Sequence, residues 1–353
     1  MIDTISLENF TLFHNIDVDL CPKINIIIGE NGTGKTQLLK AAYAASSTRQ
    51  QIGATNNDED VIRAKMTERF VKLFLPLDDK LGKLHRNGAE TNTKINLAYS
   101  DGKNIEMGFY NNSQNVTVEG DGKLEETLGA PVYIPTKEVL SFMKGFTSLY
   151  QRFDLSFDQT YQDICLSLDL PEVRQEGLQE KAKWGIEKIN SVIGGKFIFY
   201  GGGKVTFKSQ NNEYSANVVA EGFRKAGMLG RLLETGAIQP GISGTLFWDE
   251  PESNFNPKLM KMLVEILLEL SRQGQQIVLA THDYVFLKWF DLLGDSSMGD
   301  QVRYHSLYRD ELEGKIKIMT TDDYLELQPN SIDEAFGYIV NEEISNDMGN
   351  LGK

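Results

Sequence analysis

The chain has 353 residues, 24% of them charged, with a formal net charge of −14 and two cysteines. That length exceeds what one compact core supports, so a main domain with an inserted lobe is expected, and the acidic balance disfavours direct nucleic-acid binding without a local basic patch. Cys21 and Cys165 lie far apart without metal-like spacing, which argues against a disulfide framework and for a reducing compartment, with both thiols in the core.

The amino terminus enters a strand directly, with no basic leader, and no apolar run reaches membrane-spanning length; a soluble, cytoplasmic protein is expected. Residues 2–20 alternate as two half-buried strands, with Ile5 and Leu7 in the first and Ile16, Val18 and Leu20 in the second. A β-branched strand at 24–28 follows, then a glycine-rich loop and a helix whose apolar face carries Leu38, Leu39, Ala42 and Ala45. Residues 60–75 have helical spacing, 95–118 read as a meander with turns at Asp101-Gly102 and Asn111-Asn112, and 137–193 are mainly helical with a break near Pro171. A hairpin turns at Gly201-Gly202-Gly203. Neither heptads, low-complexity linkers nor repeats of 20 to 50 residues are visible. Acidic residues gather at 57–60 and from Asp322 to Asp347, either as solvated faces or as docking surfaces for a basic partner.

The loop Gly29-Glu30-Asn31-Gly32-Thr33-Gly34-Lys35-Thr36 fits G-x-x-x-x-G-K-[ST] at every fixed position. Glycines permit a turn whose N–H groups converge on phosphates, and the next helix points its positive end at the same anion. Gly29, Asn31, Gly32, Thr33, Gly34, Lys35 and Thr36 are therefore expected to hold ATP, with Lys35 on the β- and γ-phosphates and Thr36 on Mg²⁺. The run Gly244-Thr245-Leu246-Phe247-Trp248-Asp249-Glu250-Pro251-Glu252 supplies the second half of a site: Asp249 as metal ligand, Glu250 as general base. Asn256-Pro257 caps a helix with a core stripe, and the strand at 276–280 ends in Thr281-His282-Asp283, where His282 is positioned to bond the γ-phosphate or the attacking water. His14, His85 and His305 have no such context and are expected at the surface or in packing.

This order of parts resembles the ATP-binding-cassette class of ATPases. The likeness is to the SMC- and OLD-like branch of chromosome-maintenance and recombination ATPases, and to the small AAA-type ATPases of bacterial anti-phage defence. It covers the first 45 residues and 221–283 well and the middle loosely. It implies an α/β P-loop NTPase fold with a mixed central sheet, N-terminal antiparallel strands and an inserted α+β or helical lobe. The corresponding divisions are 1–56 and 196–320 for the two parts of the core, 57–195 for the lobe, and 321–353 for an acidic tail. In that class two subunits sandwich two ATP molecules, each P-loop facing a signature segment of the other subunit. By position that segment is Ala220-Glu221-Gly222-Phe223-Arg224-Lys225, with Ala220 and Glu221 departing from the Ser-Gly-Gly pattern. The Gly222 amides, Arg224 or Lys225 are then the groups left to meet a partner's γ-phosphate, and a simple helix start is the other reading. Tyr133-Ile134-Pro135-Thr136-Lys137-Glu138 stands where the class has its glutamine loop, without the glutamine; a plain strand-to-helix turn fits as well.

The resemblance implies an ATP phosphohydrolase that dimerises, or forms a higher homo-oligomer, on ATP and regulates or scaffolds a separately encoded effector, such as a nuclease, in anti-phage defence. The alternatives are a DNA-repair ATPase that binds nucleic acid directly, a transporter's energy subunit, and a nucleotide-gated binding module with negligible turnover.

Overall fold

The computed structural model describes residues 1–52, 58–120, 129–173 and 176–350. The boundary expected at 56–57, Asn57 in the first acidic run, and residues 351–353 of the tail lie outside them.

Two antiparallel strands open the chain, β1 (Ile2–Phe10) and β2 (Phe13–Asp19), with Leu7 opposite Ile16 and Ile5 opposite Val18. Their inward side chains are buried while Asp17 and Asp19 face out, the period-two pattern that fixes register. β3 (Ile24–Gly29), buried at every position, runs into α1 (Lys35–Ile52). α2 (Glu59–Phe74) starts at Asp58, whose carboxylate accepts the Asp60 N–H.

β4 (Thr93–Tyr99), β5 (Asn104–Phe109) and β6 (Thr117–Gly120) form the expected meander. It does not stand apart as a lobe: β4 pairs with the free edge of β1, giving one antiparallel sheet in the order β2-β1-β4-β5-β6. An edge strand with unpaired N–H and C=O groups recruits the next strand that can reach it. The segment 57–195 is thus shared among layers. β7 (Val132–Ile134) goes to the edge of the central sheet, whereas α3 (Phe146–Arg152), α4 (Gln159–Leu168) and α5 (Glu176–Ile193) are helical. α4 is tied to the helix after the glycine loop by Lys40 on Asp158 at 2.7 Å and by Tyr43 on Asp163 at 2.8 Å.

The glycine hairpin, β8 (Lys196–Phe199) and β9 (Val205–Ser209), gains a third strand, β10 (Asn212–Ser215). Next come α6 (Glu221–Glu234), β11 (Leu246–Asp249), α7 (Pro257–Arg272), β12 (Ile277–Ala280), α8 (Tyr284–Leu293), β13 (Val302–Arg309), β14 (Ile316–Thr321) and α9 (Ser331–Asn350). The central sheet is ordered β14-β13-β3-β12-β11-β7, all parallel except β14.

Alternation within these strands divides the interior into two cores. Ile26, Leu279 and Trp248 point to the face packed by α6 and α7, while Ile27, Val278 and Phe247 point to the face shared with α1 and the antiparallel sheet. Buried Gln276 joins the two sheets. Its Nε2 donates to the carbonyls of Ile2 and Cys21 at 2.7 and 3.0 Å, and its Oε1 accepts from the Ile2 N–H at 3.0 Å and the Thr245 hydroxyl at 2.8 Å. Cys21 and Cys165 are buried and free. Among the described residues no helix is long and apolar enough to cross a membrane.

Candidate active site

The parallel register brings the carboxyl ends of β3, β12 and β11 to one edge of the sheet, the side where an open α/β sheet binds ligands. There β3 becomes the glycine loop, with φ of 148°, 81° and 96° at Gly29, Gly32 and Gly34. Gly34 is required twice, because a Cβ would also stand 2.5 Å from the Phe13 ring. Asn31 and Gly32 are exposed at the crest of the loop. The Thr33 hydroxyl donates to the Glu30 carbonyl at 2.8 Å, and the Lys35 ammonium folds over the loop to the Gly29 and Glu30 carbonyls at 2.6 and 3.1 Å. Burial lowers the Lys35 pKa, against the opposing pull of Glu250 and Asp249.

Across the loop, Thr36 Oγ1 donates to Asp249 Oδ2 at 2.8 Å. Thr136, just beyond β7, donates to the same oxygen at 3.2 Å. Asp249 is almost fully buried, and desolvation raises its pKa against the Thr36 hydrogen bond. Two hydroxyls and a carboxylate at the mouth of an amide-lined loop are hard oxygen donors of the kind Mg²⁺ takes alongside phosphate oxygens and water; the residues fit that ion and a triphosphate.

Glu250 lies one residue beyond β11 with φ of 50°, its N–H on the Ala280 carbonyl at 2.9 Å. Its Oε1 is 3.3 Å from His282 Nδ1, so the two residues expected to act on water are adjacent. Buried Glu252 shapes the end of β12, accepting from the Thr281 hydroxyl at 2.7 Å and the His282 N–H at 3.2 Å. Desolvation raises its pKa.

The segment 220–225 is the start of α6, with Ala220 at its N-cap, as the second of the two readings has it. Lys225 is 1% exposed and donates to the Glu250 and Ser253 carbonyls of its own chain at 2.6 and 3.3 Å. Arg224 turns inward to Glu138, Nε to Oε1 at 2.8 Å but off the N–H axis, and also bonds the Val219 carbonyl. Gly222 is buried, close enough to the Asn254 carbonyl that a Cβ would stand 2.8 Å from it. Both cations are thus engaged within their own chain. Their long stems reach buried carbonyls and a buried carboxylate within the chain, and desolvation is more cheaply offset there.

The other histidines stay out of the site. His305 is completely buried between Thr320 and Asn25, and burial pushes its pKa down to about 3. His85 bonds Thr93 and the Ala89 carbonyl, and His14 is exposed. Sequence reasoning gave no role to Thr136 or Glu252 and did not foresee the placement of Lys225. The glutamine-loop position of 133–138 was a signal for Thr136 and the second acid of Asp-Glu-Pro-Glu one for Glu252; for Lys225 only the tertiary contact is informative.

Residues 1–164 match the family described as AAA ATPase domain, and 149–288 that described as AAA domain, putative AbiEii toxin, Type IV TA system. The DNA replication and repair protein RecF of Lactobacillus johnsonii is 28% identical over 190 residues, covering 53% of this chain and 45% of RecF. RecF of Pediococcus pentosaceus is 31% identical over 159 residues, covering 45% and 37% respectively. The matched stretch thus spans less than half the length of these relatives. The fold is similar to that of the Smc head bound to the C-winged helix domain of ScpA, with a TM-score of 0.55 at 11% identity, covering 92% of this chain and 98% of that one. A Smc head domain with an extended coiled coil, derived from Pyrococcus furiosus, gives a TM-score of 0.50 at 10% identity, covering 98% and 99%. At such identities the likeness is one of fold.

Proposed function

We propose that this chain, an ABC-type, SMC-like P-loop ATPase, binds Mg·ATP between the glycine loop and the ends of β11 and β12, hydrolyses it, and uses the cycle to control a separate protein. The observation that carries this reading is the 2.8 Å bond from Thr36 to Asp249, which joins the loop to the acidic strand across 213 residues. The loop amides and Lys35 would take the phosphates, and Thr36 and Asp249 would hold Mg²⁺, which when bound neutralises phosphate charge and orients the terminal group. Glu250 accepts the proton of the attacking water, and His282, 3.3 Å from its carboxylate, keeps it aimed and offers a second donor. Thr136, donating to the same oxygen as Thr36, steadies Asp249.

We read the partner's docking surface on α9 and the segment leading into it. Between residues 318 and 350 there are eight acidic side chains and no lysine or arginine, and Phe336, Tyr338, Ile339 and Ile344 of that helix are exposed. A basic, partly apolar protein segment fits such a surface. A head of this fold bound to a separate protein has a parallel in the Smc–ScpA complex, and the matching family is described as a putative AbiEii toxin of a type IV toxin–antitoxin system; anti-phage defence is the setting we propose. The similarity to RecF favours a second reading, a repair ATPase acting on DNA; the formal charge of −14 opposes it.

The test is calorimetry with Mg·ATP together with turnover. Glu250→Gln is expected to keep ATP binding and to lower turnover by roughly 10²–10⁴, the usual contribution of a positioned base. Lys35→Ala is expected to weaken binding itself. Parent-level hydrolysis by Glu250→Gln removes the assignment of the base, and a parent chain that binds ATP without turnover is a nucleotide-gated module.

A further inference from the structure

Glu250 occupies a left-handed backbone conformation, φ 50°, that side chains with a Cβ adopt only when their surroundings impose it. Its N–H is held by the Ala280 carbonyl at 2.9 Å. Its own carbonyl accepts two donors, the Ser253 N–H at 3.1 Å and the Lys225 ammonium at 2.6 Å. Lys225 reaches in from α6 and spends a second donor on the Ser253 carbonyl, so it spans the turn that follows β11. Burial lowers its pKa to about 8. The remaining parts of the turn are tied to the same helix, with Asn254 donating to Glu221 at 2.8 Å.

We infer that Lys225 is a positioning residue for the water-activating carboxylate: by clamping the Glu250 carbonyl it imposes the left-handed backbone that turns the Glu250 side chain toward His282. This rests on the reading of Glu250 as the base. Without the clamp the Glu250 carbonyl keeps only the Ser253 bond, and the carboxylate loses its fixed direction while the glycine loop, and with it ATP binding, is untouched.

The experiment compares Lys225→Met, which keeps the stem and removes the donors, with Lys225→Arg, which restores a donor, in the full chain. Lys225→Met is expected to lower kcat by roughly 10- to 100-fold, with KM and the affinity for a fluorescent ATP analogue within about threefold of the parent, because a small misplacement of a reacting group costs rate rather than binding. Lys225→Arg is expected to recover most of kcat. Parent-level kcat in folded Lys225→Met overturns the proposal, as does loss of nucleotide binding in step with kcat, which makes the residue structural. If Lys225→Met does not fold, Lys225→Gln, neutral and shorter, is judged by the same split. A parent chain without turnover defeats the ATPase reading instead. The clamp is then decided by crystal structures of the parent and the folded variant: residue 250 leaving the left-handed region upholds it, and residue 250 staying there overturns it.

Discussion

At the residue scale, the site divides by how far apart in sequence its parts lie. Gly29 to Thr36 and Asp249-Glu250 are legible because each is contiguous and fits a pattern proposed to serve one ligand, so residue type and spacing together point to the chemistry. Thr136 is 113 residues from the carboxylate it touches, and the segment 133–138, which stands at the glutamine-loop position without the glutamine, does not name the threonine as the contact. Lys225 is read from sequence as one of three groups left to meet a phosphate, or as part of a simple helix start; burial makes it a donor for main-chain carbonyls. The Thr136 contact makes a measurable claim. Thr136→Val keeps the branched shape and deletes one hydrogen bond to Asp249, worth about 0.5–1.5 kcal/mol. The Mg²⁺ concentration giving half-maximal turnover is expected to rise by roughly two- to twelvefold on that basis, with little change in turnover at saturating metal. A Mg²⁺ titration superimposable on the parent's removes Thr136 from the site.

At the element scale, local periodicity identifies most strands and helices, because each shows its buried face in a short window: Ile5 and Leu7 in β1, and the apolar stripe behind Asn256 in α7. Pairing between distant strands is not local, which is why the meander of β4 to β6 reads as a separate lobe until β4 is seen against β1. β13 fails for a different reason. It is an interior parallel strand, but its buried run Tyr304-His305-Ser306-Leu307 is half polar, with His305 bonded to Thr320 and Asn25 and Ser306 bonded to Pro329, so no apolar run signals it. α6 is the element on which the site leans most, since it brings Arg224 to Glu138 and Lys225 to Glu250. Its seat depends on Gly227, where a Cβ would stand 2.2 Å from the Phe197 ring of β8. An aromatic ring held in the core cannot yield as a flexible chain would, so Gly227→Ala is expected to destabilise the protein by about 1–3 kcal/mol, as overpacking does. Denaturant unfolding followed by circular dichroism measures this; an unchanged midpoint means that α6 and the small sheet shift apart freely.

At the scale of the whole molecule, charge separates the two functional readings. A chain of formal charge −14 repels a second copy of itself as well as DNA, yet association with the one and association with the other respond to salt in opposite ways. Between like-charged proteins the opposing term is screened: the Debye length shrinks from about 10 Å at 0.1 M salt to about 3 Å at 1 M, so an interface held by packing and nucleotide strengthens as salt rises. Binding to DNA releases condensed counterions and weakens steeply over the same range, by roughly 10³-fold or more between 50 and 200 mM for six or more phosphate contacts. Glu250→Gln, which traps the ATP-bound state in the proposed scheme, is the form in which to look. With Mg·ATP present, analytical ultracentrifugation is expected to show a monomer–dimer equilibrium that moves toward dimer as NaCl rises from 50 to 300 mM, and no complex with duplex DNA. A nucleotide-dependent DNA complex that dissolves across the same salt series would place this chain with the repair ATPases, and a monomer at every salt and nucleotide condition would remove the two-subunit sandwich.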